Sequence, residues 1–244
     1  MQIDVVTLFP ELVESIGQWG VVGRAVQQNR LQLATHNPRD RAADRHRTVD
    51  DRPFGGGPGM VMQAEPLAAC VEPLKTQGSP VVYLSPQGRV FDQAMAARFA
   101  ELPGLVLVCG RYEGVDERFV ETCVDEEVSV GDYVLSGGEP AAMVVIDSVA
   151  RLLDGTLGHS ESAEQDSFSD GLLDCPHYTR PEVWRDQSVP AVLRSGDHNA
   201  IARWRRQQAL GRTAARRPDM LESLVLEDTD KVLLQGYRAA ADDN

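Results

Sequence analysis

The sequence predicts an α/β fold built on a parallel sheet, followed by a small all-helical domain. Three observations carry this. Between Val81 and Leu153 short apolar runs alternate with helical patterns, as strand–helix units of a parallel sheet do. Three successive runs each end in a glycine-containing loop. From about Gly155 the chain turns polar and small-residue-rich, and helical patterns alone follow.

The elements follow in order. QIDVVTL reads as a first strand, closed by Phe9-Pro10. Proline suits a first helical turn, so PELVESIG begins a helix. The stretch to about Met62 is rich in polar residues and turn formers, FGGGPGM among them. VVYLS (Val81–Ser85) is a short apolar strand. FDQAMAARFAEL is helical with Asp92 as N-cap. LVLVC (Leu105–Cys109) is the next strand, GVDERFVETC a short helix, and EEVSV a further strand. PAAMVVIDSVARLL reads as a buried helix. GTLGHSESAEQDSFSDG looks like a mobile linker. Three helical patterns follow, DHNAIARWRRQQAL, PDMLESLVL and DTDKVLLQGYRAAA, with Asp197 and Asp228 as N-caps. The predicted boundaries are 1–158 for the α/β domain, 159–172 for the linker and 173–244 for the helical domain.

Composition narrows the functional classes. The chain has 244 residues, 42% hydrophobic and 25% charged, an ordinary globular balance. No apolar run approaches the roughly 20 residues of a membrane span, and MQIDVVTLFPELVES has no signal-peptide features. Cys70, Cys109, Cys123 and Cys175 are widely spaced, which argues against disulfides and structural zinc and fits a reducing cytoplasm. Cys109, inside LVLVCG, reads as an inert core thiol. The net charge of -13 argues on its face against a nucleic-acid partner, but local clusters decide such questions. RWRRQQALGRTAARRP carries six arginines (Arg203, Arg205, Arg206, Arg212, Arg216, Arg217) and no acid. This is either a ligand surface or a solvated helix face. NPRDRAADRHRTVDDRP is a second, mixed stretch.

Ligands of open parallel sheets bind beyond the carboxyl ends of the strands. Three loops belong there: Pro86-Gln87-Gly88, Gly110-Arg111-Tyr112-Glu113-Gly114, and Gly131-Asp132-Tyr133 running on to Ser136-Gly137-Gly138-Glu139. Together they offer backbone amides and carbonyls, two tyrosines, acids and no lysine. That suits a flat, neutral or cationic cofactor such as an adenosine and disfavours a triphosphate. Taken singly, each loop also reads as ordinary turn and cap glycines. FGGGPGM is no Walker A motif, GRYEGVDER is no dinucleotide fingerprint, and no Gly-x-Ser-x-Gly elbow is present. His159 and His177 lack metal-ligand spacing and read as loop histidines.

Several motifs extend the reading: LFPE (Leu8–Glu11), GRAV (Gly23–Val26), NPRD (Asn37–Asp40), TVDDRPFGGGPGM (Thr48–Met60), YLSPQG (Tyr83–Gly88), LVCGRYEGVDER (Leu107–Arg118), VGDYVLSGGE (Val130–Glu139), EQDSFSDGLLDCPHYTRPE (Glu164–Glu182), and WR with RRPDML in the tail. In these, and in their order along nearly the whole chain, the sequence resembles the bacterial tRNA (guanine-N1)-methyltransferases of the knotted SPOUT class. One departure is visible: Pro140 follows Glu139 directly, whereas one residue separates them in the family.

The resemblance implies a deep trefoil knot at the C-terminal end of the first domain, holding S-adenosylmethionine in a bent conformation. It implies a cytoplasmic homodimer with the active site between subunits, and tRNA rather than DNA as partner. The methylated atom would be N1 of the guanine at position 37, next to the anticodon and preceded by another guanine, a modification that maintains reading frame. The cofactor residues it implies are Tyr83, Leu84, Ser85, Pro86, Gln87 and Gly88 in the first loop and Gly110, Tyr112, Glu113 and Gly114 in the second. The third contributes Val130, Gly131, Asp132, Tyr133, Val134, Leu135, Gly137 and Gly138. By the same resemblance Asp166 is the general base and Arg151 contacts the guanine O6. Glu113 is similar to a family residue linked to a magnesium requirement. Arg111 beside it, with the arginines from Arg203 to Arg217, is read as RNA-binding. The segment Ser160–Ser169 is expected to order over the flipped guanine when tRNA binds.

Other readings explain less. A knotted-class enzyme acting on ribosomal RNA would share the cofactor loops but lack the linker carboxylate. A non-catalytic RNA-binding protein would not need Asp166. A nucleotide hydrolase lacks a phosphate-gripping motif. An α/β protein with a helical appendage fits the composition but leaves the ordered motifs unexplained.

Overall fold

The computed structural model describes residues 1–75, 78–157 and 166–242, apart from the side chains at 241 and 242. The chain forms two compact units, Met1–Ser160 and Glu161–Asn244.

The first unit is built on a five-stranded sheet of order β2-β1-β6-β5-β7. Its strands are β1 (Gln2–Val6), β2 (Gln32–His36), β5 (Val81–Val90), β6 (Gly104–Cys109) and β7 (Glu126–Ser129), and every pairing is parallel. A short antiparallel pair, β3 (Asp50–Asp51) and β4 (Val61–Met62), lies outside it. Six helices belong to this unit among the described residues: α1 (Pro10–Glu14), α2 (Gly20–Gln27), α3 (Ala64–Val71), α4 (Gln93–Ala100), α5 (Glu117–Cys123) and α6 (Glu139–Ala150).

Strand alternation sorts the core into two layers. Ile3, Val5, Leu105 and Leu107 pack with Val22, Phe99, Val145 and Ile146, so α2, α4 and α6 cover one face. Val6, Val106, Val108 and Tyr83 pack with Leu67, Val71 and Phe119, so α3 and α5 cover the other. A sheet covered on both faces needs continuously apolar strands, and GLVLVC is buried at every residue. Cys109 is fully buried and unbonded, and burial pushes its thiol well above the usual range, with Glu139 adding to the effect.

The Asp92 side chain caps α4 by accepting from the Met95 amide at 2.8 Å, as the sequence predicts. Asp116 caps α5 in the same way, accepting from Arg118 N at 3.0 Å. No side chain caps α6, whose first turn carries Glu139 and Pro140. The polar stretch before Met62 holds more structure than its composition suggests. It contains α2, β2 and the β3–β4 pair. β2 is an edge strand whose residues are half-buried or exposed, so it has no apolar run to announce it.

One strand is irregular. Residues 82–84 of β5 pair with residues 126–128 of β7; the chain then leaves the ladder and returns, so that Arg89 also faces Val128 and Val90 faces Ser129. The excursion, residues 85–88, is the first of the three loops. Gly88 lies against the β7 backbone, where an added Cβ would stand 2.6 Å from the Glu127 carbonyl oxygen.

In the second unit, β8 (Val183–Trp184) and β9 (Gln187–Ser188) form a hairpin. Arg185 and Asp186 turn it with φ of 48° and 64°, the positive-φ pair that two-residue hairpin loops favour. The helices are α7 (His198–Arg216), α8 (Pro218–Glu222) and α9 (Asp228–Asp242). Leu172, Leu210 and Leu234 form a small core. Asp197 caps α7, accepting from the Asn199 and Ala200 amides at 3.0 Å. Asp228, expected as a cap, is instead the first residue of α9 and pairs with Lys231 at 2.8 Å. Among the described residues no helix is long and apolar enough to cross a membrane.

Candidate active site

Because β5, β6 and β7 are parallel neighbours or share a neighbour, the excursion within β5 and the loops after β6 and β7 meet at one sheet edge. They enclose a cavity of about 390 Å³. Of the predicted cofactor residues, Tyr83, Leu84, Ser85, Pro86 and Gln87 line it from the first loop and Gly110, Tyr112, Glu113 and Gly114 from the second. Val130, Gly131, Tyr133, Val134, Leu135, Gly137 and Gly138 complete the wall. Gly88 and Asp132 are not on the wall. Gly88 serves the β5–β7 contact instead.

Two glycines make the cavity possible. A Cβ on Gly110 would stand 2.8 Å from the Tyr83 hydroxyl, and one on Gly138 would stand 2.7 Å from the Cys109 Cα. The second and third loops are thus pressed together, and the Gly138 amide donates to the Gly110 carbonyl at 2.9 Å. Tyr83 is nearly buried. Burial, then Glu127 and Glu117, push its phenol up to about 12, so it stays neutral. Tyr133 folds its own loop by donating to the Val130 carbonyl at 3.0 Å.

Among the described residues the lining carries the carboxylates Glu113, Glu117 and Glu127, with Arg111 as its single cation and no lysine. Amides, carbonyls, neutral rings and acids match an adenosine and a sulfonium, not a polyphosphate. Glu113 lines the cavity and its amide donates to the Met60 carbonyl at 2.9 Å. Among the described residues, no cluster of three metal-ligating side chains includes Glu113. The cluster that does occur is Asp174, Cys175 and His177 in the second unit.

Arg111 is turned inward. Its side chain is 19% exposed and lies 2.8 Å from the Oε2 of Glu139, which is fully buried. The guanidinium also donates to the Ser136 carbonyl at 3.2 Å and stacks on the Phe9 ring at 4.2 Å. Glu139 accepts from the Thr7 hydroxyl at 2.7 Å. The network ties the end of β1, the loop after β6 and the start of α6. Sequence reasoning missed it because Thr7 and Glu139 are 132 residues apart. It also missed Arg39, whose guanidinium donates to the Tyr112 hydroxyl at 3.3 Å. The signal available was NPRD, where Asn37 accepts from the Arg39 amide at 3.0 Å and fixes that turn. Burial, then a hydrogen bond to Asp50, raise the Tyr112 phenol.

The other predicted residues lie elsewhere. Arg151 is half-buried at the C-cap of α6. Asp166 is in the second unit, on the wall of a cavity of about 500 Å³ with Asp170, Asp174, His177, Arg205 and Arg206. There burial works against ionising Asp174, but the bond from His177 leaves its carboxyl below the usual range. Of the arginine cluster, Arg206 is bound by Asp230 at 2.7 Å and Asp170 at 2.5 Å, and Arg217 by Asp219 at 2.7 Å. Arg212 is half-buried and donates to the Asp174 carbonyl at 3.4 Å. Arg203 and Arg216 are exposed and make no ion pair among the described residues. His159 and residues 160–165 of the segment expected to order on tRNA lie outside the described residues.

The family model described as tRNA (Guanine-1)-methyltransferase TrmD matches residues 1–223. A tRNA (guanine-N(1)-)-methyltransferase of Hahella chejuensis is 58% identical over 237 residues, covering 96% of this chain and 92% of its own. Proteins of the same name from Pseudomonas fluorescens and Pseudomonas syringae pv. tomato are each 58% identical over 247 residues, covering 100% of this chain and 99% of their own.

Proposed function

The chain belongs to the tRNA (guanine-1)-methyltransferase family, and from that premise we infer that it methylates N1 of the guanine at position 37 of tRNA. The observation that carries the cofactor assignment is the cavity closed by three loops of one sheet edge, floored by glycines that leave no room for side chains. Its neutral and acidic lining fits S-adenosylmethionine, which when bound supplies an electrophilic methyl group.

The rest of the chemistry falls to the protein. Guanine N1 carries a proton and is a poor nucleophile at neutral pH. Asp166 accepts that proton as the N1–methyl bond forms. Negative charge moves towards O6, where the Arg151 guanidinium stabilises it. Tyr83 and the amides of the second and third loops orient the donor. Among the described residues Glu113 belongs to no cluster of three metal-ligating side chains, a donor set that does not fit a protein-held magnesium ion.

A trefoil knot fits the way β5 leaves and rejoins β7 and the close passage of Gly138 across Cys109. A homodimer would bring the Asp166 segment of one subunit to the cofactor cavity of the other. The test is direct. Purified protein is incubated with labelled S-adenosylmethionine and a transcript bearing guanines at positions 36 and 37. Label must enter position 37 as N1-methylguanine, and a position-37 variant must stay unlabelled. Label at another site overturns the assignment.

A further inference from the structure

Three metal-ligating groups fall within four consecutive residues of the second unit. Asp174, Cys175 and His177 each offer one ligand atom, and these atoms lie within 4.8 Å of one another. Asp174 Oδ2 and His177 Nε2 are 2.7 Å apart. Zinc–ligand bonds of about 2.0–2.3 Å in a tetrahedron hold ligand atoms roughly 3.3–3.7 Å apart, so each pair here is within about an ångström of a binding separation. The sequence offers no Cys-x-x-Cys spacing. The set is visible only in the structure, because its ligands come from one short segment rather than from two.

That segment is fixed from outside. The Asp174 amide donates to Ser167 Oγ at 3.0 Å and the Leu173 amide to Thr213 Oγ1 at 2.9 Å. Arg212 donates to the Asp174 carbonyl at 3.4 Å. Pro176, between two of the ligands, has a fixed φ and keeps Cys175 out of the helical region. Ligands placed in advance lose little freedom on binding. All three line the cavity of about 500 Å³. Cys175 is 6% exposed, whereas the His177 side chain is 74% exposed, so an ion there meets a buried sulfur on one side and solvent on the other. Among the described residues the same wall carries Asp166, Asp170 and Asp174 against Arg205 and Arg206, and Arg206 is already paired with Asp170 and Asp230. The local field does not oppose a cation.

We propose that Asp174, Cys175 and His177 bind a single divalent ion of the zinc class. The inference does not depend on the methyl-transfer reading. A thiolate, an imidazole and a carboxylate form a borderline-soft donor set, which suits zinc or cobalt. Magnesium demands oxygen donors in an octahedron and finds one carboxylate in this set. As the ion binds, the Cys175 thiol loses its proton to solvent and the sulfur takes its place in the coordination shell. Three protein ligands leave the fourth tetrahedral position to a water or an anion from the cavity. Ser167 is bonded to Asp174, so a bound ion also steadies the turn that begins beside Asp166.

The experiment titrates zinc by calorimetry into untagged, metal-free full-length protein: the wild type, Cys175→Ser, His177→Ala and, as control, Cys123→Ser. Cys123 is a buried thiol of the first unit and belongs to no three-ligand cluster among the described residues. The wild type and Cys123→Ser are expected to take up one zinc per chain with a Kd of about 1 µM or tighter. Losing a ligand should cost at least what losing an outer partner does, so Cys175→Ser and His177→Ala should bind about 10–100-fold more weakly or worse. Cobalt titrated into the wild type should give a thiolate-to-metal charge-transfer band that Cys175→Ser lacks and Cys123→Ser keeps. Zinc should raise Tm in the wild type, and magnesium in about thousandfold excess should not displace it. His177 is largely exposed, so His177→Ala keeps the test decisive if Cys175→Ser does not fold. The inference is overturned if the wild type binds no stoichiometric zinc, if His177→Ala binds as tightly as the wild type, if the cobalt form shows no thiolate band, or if magnesium displaces zinc.

Discussion

Replacing Glu139 by glutamine tests whether the buried ion pair holds the first unit together. Glu139 is fully buried and Arg111 is 19% exposed, 2.8 Å away. The contact is not a well-aligned hydrogen bond: among the described residues Arg111 Nε and Glu139 Oε2 have no hydrogen-bond partner. The pair therefore adds little over an apolar replacement, yet breaking it from one side strands a guanidinium. Such a change costs about 3–5 kcal/mol when both groups are fully buried. Arg111 keeps some solvent and the Phe9 ring, which places the expected cost near the lower end, about 3 kcal/mol. For a unit of this size each kcal/mol moves Tm by roughly 2–4 °C, so the transition should fall by about 6–12 °C. Scanning calorimetry on the full chain measures it, with the first unit's transition identified by its upward shift on adding S-adenosylmethionine. The double variant Arg111→Met, Glu139→Gln should regain much of the stability, because the stranded charge is gone. A single variant within about 0.5 kcal/mol of wild type, or a double variant less stable than the single, would refute the reasoning.

Asp166→Ala should lower kcat by about 10²–10⁴-fold by removing the proton acceptor, with S-adenosylmethionine affinity unchanged by calorimetry. Equal activity in the variant would remove Asp166 from the mechanism. Neutralising Arg203 and Arg216, which make no internal ion pair among the described residues, should reduce the slope of log K against log salt for tRNA binding by roughly 0.7–0.9 for each phosphate left without its arginine. An unaltered slope assigns that helix face to solvent. The Arg206 bond to Asp230 holds the Asp230 carboxyl below its usual range, against an opposing effect of burial. A lowered folded-state value means stability present above the unfolded carboxylate pKa of about 3.9 and lost as pH falls through the folded value. Acid unfolding of the second unit should thus be less steep in Asp230→Asn, and that variant should be less stable at neutral pH by about 1–3 kcal/mol. Identical acid profiles would show that the pair contributes nothing.

The sequence was most readable where local rules act without competition. Asp92 and Asp197 sit before helical patterns and cap them; LVLVC is apolar throughout and is a central strand. Reading failed where tertiary position overrides composition. β2 is an edge strand, half-buried or exposed, so it carries no apolar alternation. Asp228 has a cap's identity, yet the preceding Glu227 carbonyl already accepts from the Lys231 amide at 3.0 Å, and Asp228 starts the helix rather than preceding it. Within the site the loops were visible as glycine clusters, but which glycines face the cavity was not. Gly88 and Gly138 look alike in sequence. One abuts the β7 backbone and the other the Cys109 Cα beside the cavity.

By itself the sequence determined the alternation of strands and helices, the three loops at one sheet edge, and a lining without lysine. These depend on residue type and short spacing, which the chain carries locally. Only the tertiary structure decided that Arg111 turns inward to Glu139, that Thr7 joins them from near the N-terminus, and that Arg39 and Phe9 stand beside the three-loop cavity. Those partners are distant in sequence and meet because parallel strands bring their carboxyl ends together. No local pattern encodes which distant side chain will satisfy a buried charge.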